Sequence, residues 1–224
     1  MRMKRLFFMA FALSSLLASA QVDSTDYNDD DISMEWLKPS DDEKSRLGII
    51  MGTQICTLTG TALPDNKPMF GLLGGGYGRI NFRGGWSIQQ ELQVSFRGSN
   101  FKANPGDVGS FRFLYLDVPL LVFKQLGNKS KHKIGVGAQY SNLINGLMYL
   151  DKKSYPTAQA PKLDKNDWAA VLAYQYQFEY FALQCAVKSG FRNLNLGYAW
   201  PDLGKPLNNN GTLNNFAVEL NIIF

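Results

Sequence analysis

Strict alternation of apolar and polar residues between positions 86 and 97 limits the possible folds more than any other feature of the sequence. One face carries Ile88, Leu92, Val94 and Phe96, with Gln90 as the single exception, and the other carries Ser87, Gln89, Glu91, Gln93, Ser95 and Arg97. A period of two over a dozen residues indicates a β-strand whose faces meet different surroundings. The chain is therefore predicted to contain strands with one apolar and one polar face.

The length of this strand matches the thickness of a membrane. Trp86 and Phe96 are ten residues apart, which at about 3.3 Å per residue and a tilt near 45° corresponds to roughly 23 Å along the membrane normal. Transmembrane barrels of the outer-membrane type carry an apolar band about 25 Å tall with aromatic residues at both edges. The strand therefore has the dimensions expected of a transmembrane β-strand.

The same alternation recurs along the chain and predicts eight strands. They cover roughly residues 46–56, 70–83, 87–97, 111–124, 132–145, 168–178, 181–190 and 213–224. The connections after the first, third, fifth and seventh strands are long, at 57–69, 98–110, 146–167 and 191–212, and the other three are short. Outer-membrane barrels place long loops outside and short turns in the periplasm. Residues 46–224 are therefore predicted to form a closed antiparallel up-and-down transmembrane β-barrel of about eight strands.

The first 45 residues predict two segments outside the barrel. Residues 1–20 have a basic start, a short apolar run and a small-residue end before Gln21, which is the pattern of a secretory signal peptide cleaved after Ala20. A retained helical anchor is the alternative. Residues 21–45 are rich in acid, with runs at 29–31 and 41–43, and predict a poorly ordered periplasmic segment. The predicted location of the mature chain is the cell outer membrane.

The turn at residues 84–86 allows the pairing of its two strands to be predicted. A three-residue connection of this kind carries a glycine with positive φ. If Arg83 pairs with Ser87, Arg79 lies opposite Glu91 inside the barrel. Two opposite charges are then expected to meet across the strands.

Charged residues predicted to face the barrel interior balance in sign. The acidic candidates are Asp117, Glu91, Glu179 and Glu219, and the basic candidates are Arg79, Arg83, Arg97 and Lys188. Buried charges usually pair with opposite charges, so a structural network is expected, with paired acids for hydrolytic chemistry as the alternative. An eight-stranded barrel is just wide enough for its own side chains to fill, which argues against a channel.

The sequence presents no constellation of catalytic, cofactor-binding or metal-ligating residues. The one histidine, His132, falls beside the short turn 127–131, where it is expected to be solvated and to have no Ser or Cys to activate. The glycine run 74–78 precedes a strand and lacks the helix that a phosphate-binding loop requires. Cys56 and Cys185 point to opposite faces of non-adjacent predicted strands and are expected to be free thiols. The protein is therefore predicted not to be an enzyme and to need no cofactor.

One short segment carries a resemblance to a known family. The stretch Tyr115-Leu116-Asp117-Val118-Pro119-Leu120-Leu121 resembles that of the PorT-like outer-membrane β-barrel family of Bacteroidetes. The resemblance implies a barrel fold with no catalytic residues, and some members are similar to accessory components of a secretion system. The terminal Phe224 looks like the aromatic signal that the barrel-assembly machinery reads.

Two functions fit these features. The first is a non-enzymatic outer-membrane barrel with a structural or interaction role through long extracellular loops, or a secretion-system accessory. Its expected partners are the lipid bilayer, the barrel-assembly machinery and a protein not identified by the sequence. After cleavage 20 basic residues face 19 acidic residues, so nucleic acid is not an expected partner. The second is a soluble lipocalin-like carrier of a small apolar ligand, which would place Ile88, Leu92 and Val94 inside the barrel.

Overall fold

The computed structural model describes residues 46–62, 66–102, 108–127, 130–150, 153–156, 164–194 and 211–224. Within these ranges the chain forms nine β-strands. They are β1 (Arg46–Thr59), β2 (Met69–Phe82), β3 (Trp86–Lys102), β4 (Val108–Gln125), β5 (His132–Leu150), β6 (Lys153–Pro156), β7 (Asn166–Gln177), β8 (Ala182–Gly190) and β9 (Asn214–Ile223). The predicted signal peptide and acidic segment lie outside the described residues. Among the described residues, no helix is long and apolar enough to cross a membrane.

Eight of the strands close into a barrel. Each pairs antiparallel with its neighbour in the order β4-β3-β2-β1-β9-β8-β7-β5, and the pairing of β4 with β5 completes the ring. The short β6 is not part of the ring, because it pairs only with residues 147–150 of β5. The predicted closed antiparallel up-and-down barrel is therefore confirmed.

The two faces of the barrel wall differ in polarity. Outward side chains include Leu92 at 51% exposure and Phe96 at 57%, whereas the intervening Gln93 and Ser95 are fully buried in the interior. The same order, apolar outside and polar inside, holds on β9, where Leu220 is exposed and Glu219 is buried. This is the side-chain arrangement of a transmembrane β-barrel. It is the opposite of the arrangement that a soluble carrier would need.

The barrel has two different ends. One end, called here the turn end, holds the start of β1, the end of β9 and the short connections after β2, β4 and β7. The other end, the loop end, holds the connections after β1, β3, β6 and β8. The wall is uneven in height, because β3, β4 and β5 have 17, 18 and 19 residues while β8 and β9 have 9 and 10.

The predicted pairing of β2 with β3 is wrong by two residues. Gly84 and Gly85 both have positive φ, at 75° and 73°, so both belong to the turn and Trp86 is already in the strand, paired with Phe82. As a result Arg79 lies opposite Gln89 rather than opposite Glu91. A shift of two residues keeps every side chain on its predicted face.

The predicted loop at residues 98–110 is also wrong over most of its length. β3 and β4 continue to pair from Gly98 opposite Arg112 up to Lys102 opposite Val108. Two buried phenylalanines, Phe101 and Phe111, pack against each other on the inner face of this extension with ring centroids 4.9 Å apart. Burial of these rings favours strand over loop although the segment is rich in Gly, Ser and Asn. The predicted loop 146–167 likewise contains the rest of β5 and β6.

Pro119 accounts for the polar residue Gln90 within the apolar stretch of the outer face of β3. The β3–β4 ladder is interrupted between the pairs formed by Gln90 and by Gln93, where Pro119 has no N–H to donate. The outward amide of Gln90 turns along the wall and donates through Nε2 to the Pro119 carbonyl at 3.0 Å and to the Glu91 carbonyl at 3.3 Å. The side chain therefore supplies hydrogen bonds to two backbone oxygens where the ladder is interrupted.

Candidate functional site

The barrel interior holds the charged residues that a functional site would need. The buried charges are Arg79, Arg97, Lys133, Lys188, Glu91, Asp117, Asp167 and Glu219, each no more than 8% exposed. The interior positions predicted for Arg79, Arg97, Lys188, Glu91, Asp117 and Glu219 are confirmed. Arg83 and Glu179 lie exposed in turns, where the alternation ends, so their predicted interior positions are wrong.

The upper part of the interior is organised around Arg97. Its guanidinium pairs with Asp117, donates to the Ser141 hydroxyl at 3.0 Å and lies over the ring of Tyr115 at 4.2 Å from the centroid. The Ser95 hydroxyl donates to the second oxygen of Asp117 at 2.6 Å. The cation is thus held on several sides, while its buried Nε has no hydrogen-bond partner among the described residues.

The segment with the family resemblance supplies much of this site. Tyr115, Asp117, Pro119 and Leu121 all point into the barrel, because they are alternate residues of β4. Two of them contact Arg97 directly. In this chain the segment therefore has a structural role in the barrel interior.

The middle of the interior contains a second cluster of charges. Lys188 Nζ pairs with Glu219 Oε1 at 2.6 Å. The neighbouring Glu91 carboxylate accepts hydrogen bonds from the side-chain amides of Gln89 and Gln93, and Gln184 donates at 3.4 Å. Donation by amides, rather than by the predicted Arg79, compensates this carboxylate.

Arg79 lies nearer the turn end. It donates to Gln89, through Nε at 2.9 Å, and to Gln175 Oε1 at 2.8 Å. The guanidinium carbon is 5.7 Å from the centroid of Phe123. The predicted contact between Arg79 and Glu91 is therefore replaced by a pairing with two glutamines.

Aromatic side chains fill the loop end of the interior. Phe101 and Phe111 pack at a tilt with centroids 4.9 Å apart, Phe111 and Phe113 stack at 5.7 Å, and Phe113 meets Tyr115 edge-on at 5.9 Å. All four rings are at most 2% exposed. This column, called here the aromatic plug, occupies the inner face of β3 and β4 above the Arg97 pair.

His132 lies at the turn end, and the two cysteines lie on opposite faces of the wall. His132 is exposed at the turn end, where its Nδ1 is 2.5 Å from the Tyr174 hydroxyl and its ring packs against Tyr176. Cys56 is buried in the interior and Cys185 is exposed on the outer face of β8, which confirms their predicted opposite faces. Over the described ranges, no group of three or more His, Cys, Asp or Glu is placed to hold a metal ion.

Two cavities open at the turn end. Their volumes are about 350 Å³ and 310 Å³, and both are lined by Arg46, Arg79 and Gln177. The second is also lined by Lys131 and Lys133. This mouth was not among the predicted sites, although the Lys131-His132-Lys133 run at the start of β5 is a sequence signal for it.

Comparison with known proteins finds solved structures of low sequence identity. No protein-family model matches the chain, and no curated protein matches it. Among solved structures, the chain is similar to Neisserial surface protein A (8% identity, 81% of this chain, 98% of the other, TM-score 0.48). It is also similar to the attachment invasion locus protein of Yersinia pestis in complex with a heparin analogue (11% identity, 81% of this chain, 100% of the other, TM-score 0.41). A third similar structure is the outer membrane protein OprG of Pseudomonas aeruginosa (13% identity, 80% of this chain, 95% of the other, TM-score 0.39). With TM-scores below 0.5, these likenesses carry no conclusion, and the barrel assignment rests on the strand pairing of this chain itself.

Proposed function

We propose that this protein is an outer-membrane barrel that acts by interaction rather than by catalysis or transport. In this proposal the barrel anchors the chain in the outer membrane and presents the loop end to the outside. The observation that carries the proposal is the combination of an apolar outer wall with an interior filled by paired charges.

The outer wall carries an apolar belt with aromatic residues at both edges. On β7, Trp168 lies at the loop end with 43% exposure, and Tyr174 lies at the turn end with 42% exposure. Leu172 lies between them and is 52% exposed. Ten residues separate Trp168 from the exposed Phe178, which corresponds to roughly 23 Å along the normal of a membrane. An apolar wall of this height is stable in hydrocarbon and would be an aggregation hazard in water.

The interior contains compensated charges and the aromatic plug. Buried charges are compensated by opposite charges or amides, as for Lys188 with Glu219 at 2.6 Å, and the aromatic plug fills the loop end. A barrel of eight strands leaves little more space than its own side chains occupy. The interior therefore favours anchorage over a pore.

The alternative function is that of a soluble carrier. A carrier would turn Ile88, Leu92 and Val94 toward a ligand inside the barrel. These residues are 38%, 51% and 41% exposed on the outside. The outward apolar face therefore favours the membrane over the carrier function.

The finer role proposed is that of a PorT-like barrel, either structural or accessory to a secretion system. The support is the segment from Tyr115 to Leu121, whose alternate residues supply the partners of Arg97. A strain lacking the protein would be compared with the wild type by mass spectrometry of its secreted proteins. A secretion accessory requires loss of secreted proteins in that strain, and an unchanged set would leave the structural role as the proposal.

Cell fractionation followed by electrophoresis with and without boiling tests the main proposal. We expect the protein in the outer-membrane fraction, with a band that migrates differently before and after heating because the closed barrel resists detergent. A matched variant, Leu92→Arg, would place a charge in the middle of the apolar belt and should lose the unheated band. Recovery of the wild-type protein in the soluble periplasm would overturn the proposal.

A further inference from the structure

The outer wall changes character just above the loop-end edge of the apolar belt. Trp168 lies at this edge, and its ring packs against Tyr140 of β5 with ring centroids 5.1 Å apart. In the ladder position two residues nearer the loops, Asn142 pairs with Asn166. Two residues of a tilted strand correspond to roughly 5 Å along the barrel axis. In a barrel that spans the membrane, the amide pair therefore lies at the height where lipid headgroups begin.

The four side chains of Tyr140, Asn142, Asn166 and Trp168, called here the rim patch, are joined by one amide oxygen. Asn166 Oδ1 accepts from the Tyr140 hydroxyl at 2.6 Å and from Asn142 Nδ2 at 3.1 Å. Both acceptor positions of this oxygen are then used. The described residues provide no partner for the Asn166 amide hydrogens, for Asn142 Oδ1 or for the Trp168 indole N–H. Hydrogen-bond donors and an acceptor in a fixed arrangement therefore lie beside two aromatic rings on the outer face.

The rim patch itself is uncharged, and the charges beside it are paired or lie on the other face. Arg192 pairs with Asp164 at 2.5 Å, and Asp164 Oδ1 also accepts from the Asn166 backbone N–H at 3.0 Å. Lys165 immediately precedes the outward Asn166, so the alternation assigns it to the opposite face. The patch therefore favours hydrogen bonding to an uncharged ligand over pairing with an anion.

The two edges of the apolar belt differ in the polar groups beside their tryptophans. At the turn end, Lys124 Nζ lies 4.7 Å from the centroid of Trp86, and an ammonium group suits the phosphate of a phospholipid. At the loop end, Trp168 has amides beside it instead of a cation. Amides bind hydroxyl groups as donor and as acceptor, and the flat apolar face of an indole packs against the C–H face of a sugar ring. The loop-end edge therefore favours a headgroup rich in hydroxyls.

We propose that the rim patch binds the sugar headgroup of a glycolipid in the leaflet on the loop-end side. The sugar ring stacks on Trp168, and its hydroxyls donate to Asn142 Oδ1 and accept from the Asn166 amide. The ligand is a lipid rather than a free sugar, because the patch continues directly into the apolar belt, where Leu172 is 52% exposed and can contact the acyl chains. This inference rests on the proposed outer-membrane function.

Quenching of tryptophan fluorescence by brominated lipids tests the proposal at the site itself. In the reporter protein, Trp36, Trp86 and Trp200 are replaced by phenylalanine, which leaves Trp168 as the sole tryptophan. The full-length chain is folded into phosphatidylcholine vesicles that contain an equal small fraction of brominated digalactosyl diacylglycerol or of brominated phosphatidylcholine. We expect the glycolipid to be enriched about fivefold at Trp168, the ratio that corresponds to one net hydrogen bond.

Three further proteins show whether the amides produce this preference. Asn142→Leu with Asn166→Leu in the reporter protein should abolish the preference for the glycolipid. The matched control is Asn100→Leu, because Asn100 is another amide at the loop end but lies on β3, and the preference should be unchanged. A second reporter protein that retains only Trp86 should show no preference for the glycolipid at the turn end.

Equal quenching of Trp168 by the two brominated lipids would overturn the proposal, as would a preference that survives loss of both amides. Stronger quenching by brominated phosphatidylglycerol than by the glycolipid would also overturn it, since a charge would then govern binding. The heat-dependent mobility of each protein is measured first, so that loss of the barrel is recognised separately. A barrel that inserts without a preference would overturn the sugar site alone, whereas failure of the wild type to insert into any vesicle would overturn the outer-membrane proposal as well.

Discussion

Removing Arg97 from its buried pair should destabilise the barrel far more than removing an exposed arginine. The variant Arg97→Met leaves Asp117, which is 1% exposed, with the Ser95 hydroxyl but without its cation. Loss of one partner of a buried ion pair costs about 3–5 kcal/mol. The matched control is Arg192→Met, because Arg192 pairs with Asp164 at 2.5 Å but is 43% exposed, and exposed pairs contribute about 0–1 kcal/mol.

A double variant separates the charge from the packing. In Arg97→Met with Asp117→Leu, both members of the pair are replaced by apolar side chains, and Leu has the branched shape of Asp, so neither charge of the pair is left without the other. We expect this variant to recover most of the stability lost in Arg97→Met, because replacement of a whole buried pair is often close to neutral.

Urea unfolding in phospholipid vesicles, followed by tryptophan fluorescence, gives the free energies of unfolding. Each variant is compared with the wild type at equal lipid ratio. A double variant as unstable as Arg97→Met would refute the reasoning, since the cost would then come from lost packing. Equal effects of Arg97→Met and Arg192→Met would refute it as well.

Three further predictions concern the wall and the plug. Leu92→Arg, near the middle of the apolar belt, should lower the free energy of unfolding in bilayers by about 2–4 kcal/mol. Leu47→Arg, at the turn-end edge, should lower it by about 0–1 kcal/mol. Equal costs of the two substitutions would contradict a membrane-buried belt. Gln90→Leu should destabilise the barrel by about 1–2 kcal/mol despite its more apolar side chain, because the Pro119 carbonyl loses its donor, and a gain in stability on urea unfolding would contradict this explanation. Phe111→Ala should lower the free energy of unfolding by about 3–5 kcal/mol. Planar bilayers that contain this variant should conduct ions better than bilayers that contain the wild type. Unchanged conductance would show that the aromatic plug is not what closes the interior.

The alternation of side chains explains why the strands could be predicted and some details could not. A period of two places residues on the correct face even when the pairing is shifted, so the interior position of Glu91 was predicted while its partner was not. The pairing depends on the turn conformation, which two adjacent glycines leave open in the sequence. Arg83 and Glu179 were misplaced because they lie in turns, where alternation no longer applies.

Two interior charges were missed although the pattern contained them. Lys133 and Asp167 each stand immediately before an outward residue, Ile134 and Trp168, so the same alternation places them inside. The extension of β3 and β4 was harder to predict, because residues 98–100 have the composition of a loop. The burial that holds them in strands comes from Phe101 and its ring partners across the ladder, which sequence order alone does not bring together.

The uneven height of the wall determines how another molecule meets the loop end. At about 3.3 Å per residue and a tilt near 45°, β5 reaches roughly 44 Å along the barrel axis and β8 roughly 21 Å. The difference is about the thickness of the hydrocarbon layer itself, so one side of the barrel stands as a rigid hydrogen-bonded sheet beyond the other. A molecule that binds against this sheet orders less of the protein than one that binds a free loop, and the entropic cost of association is lower on that side.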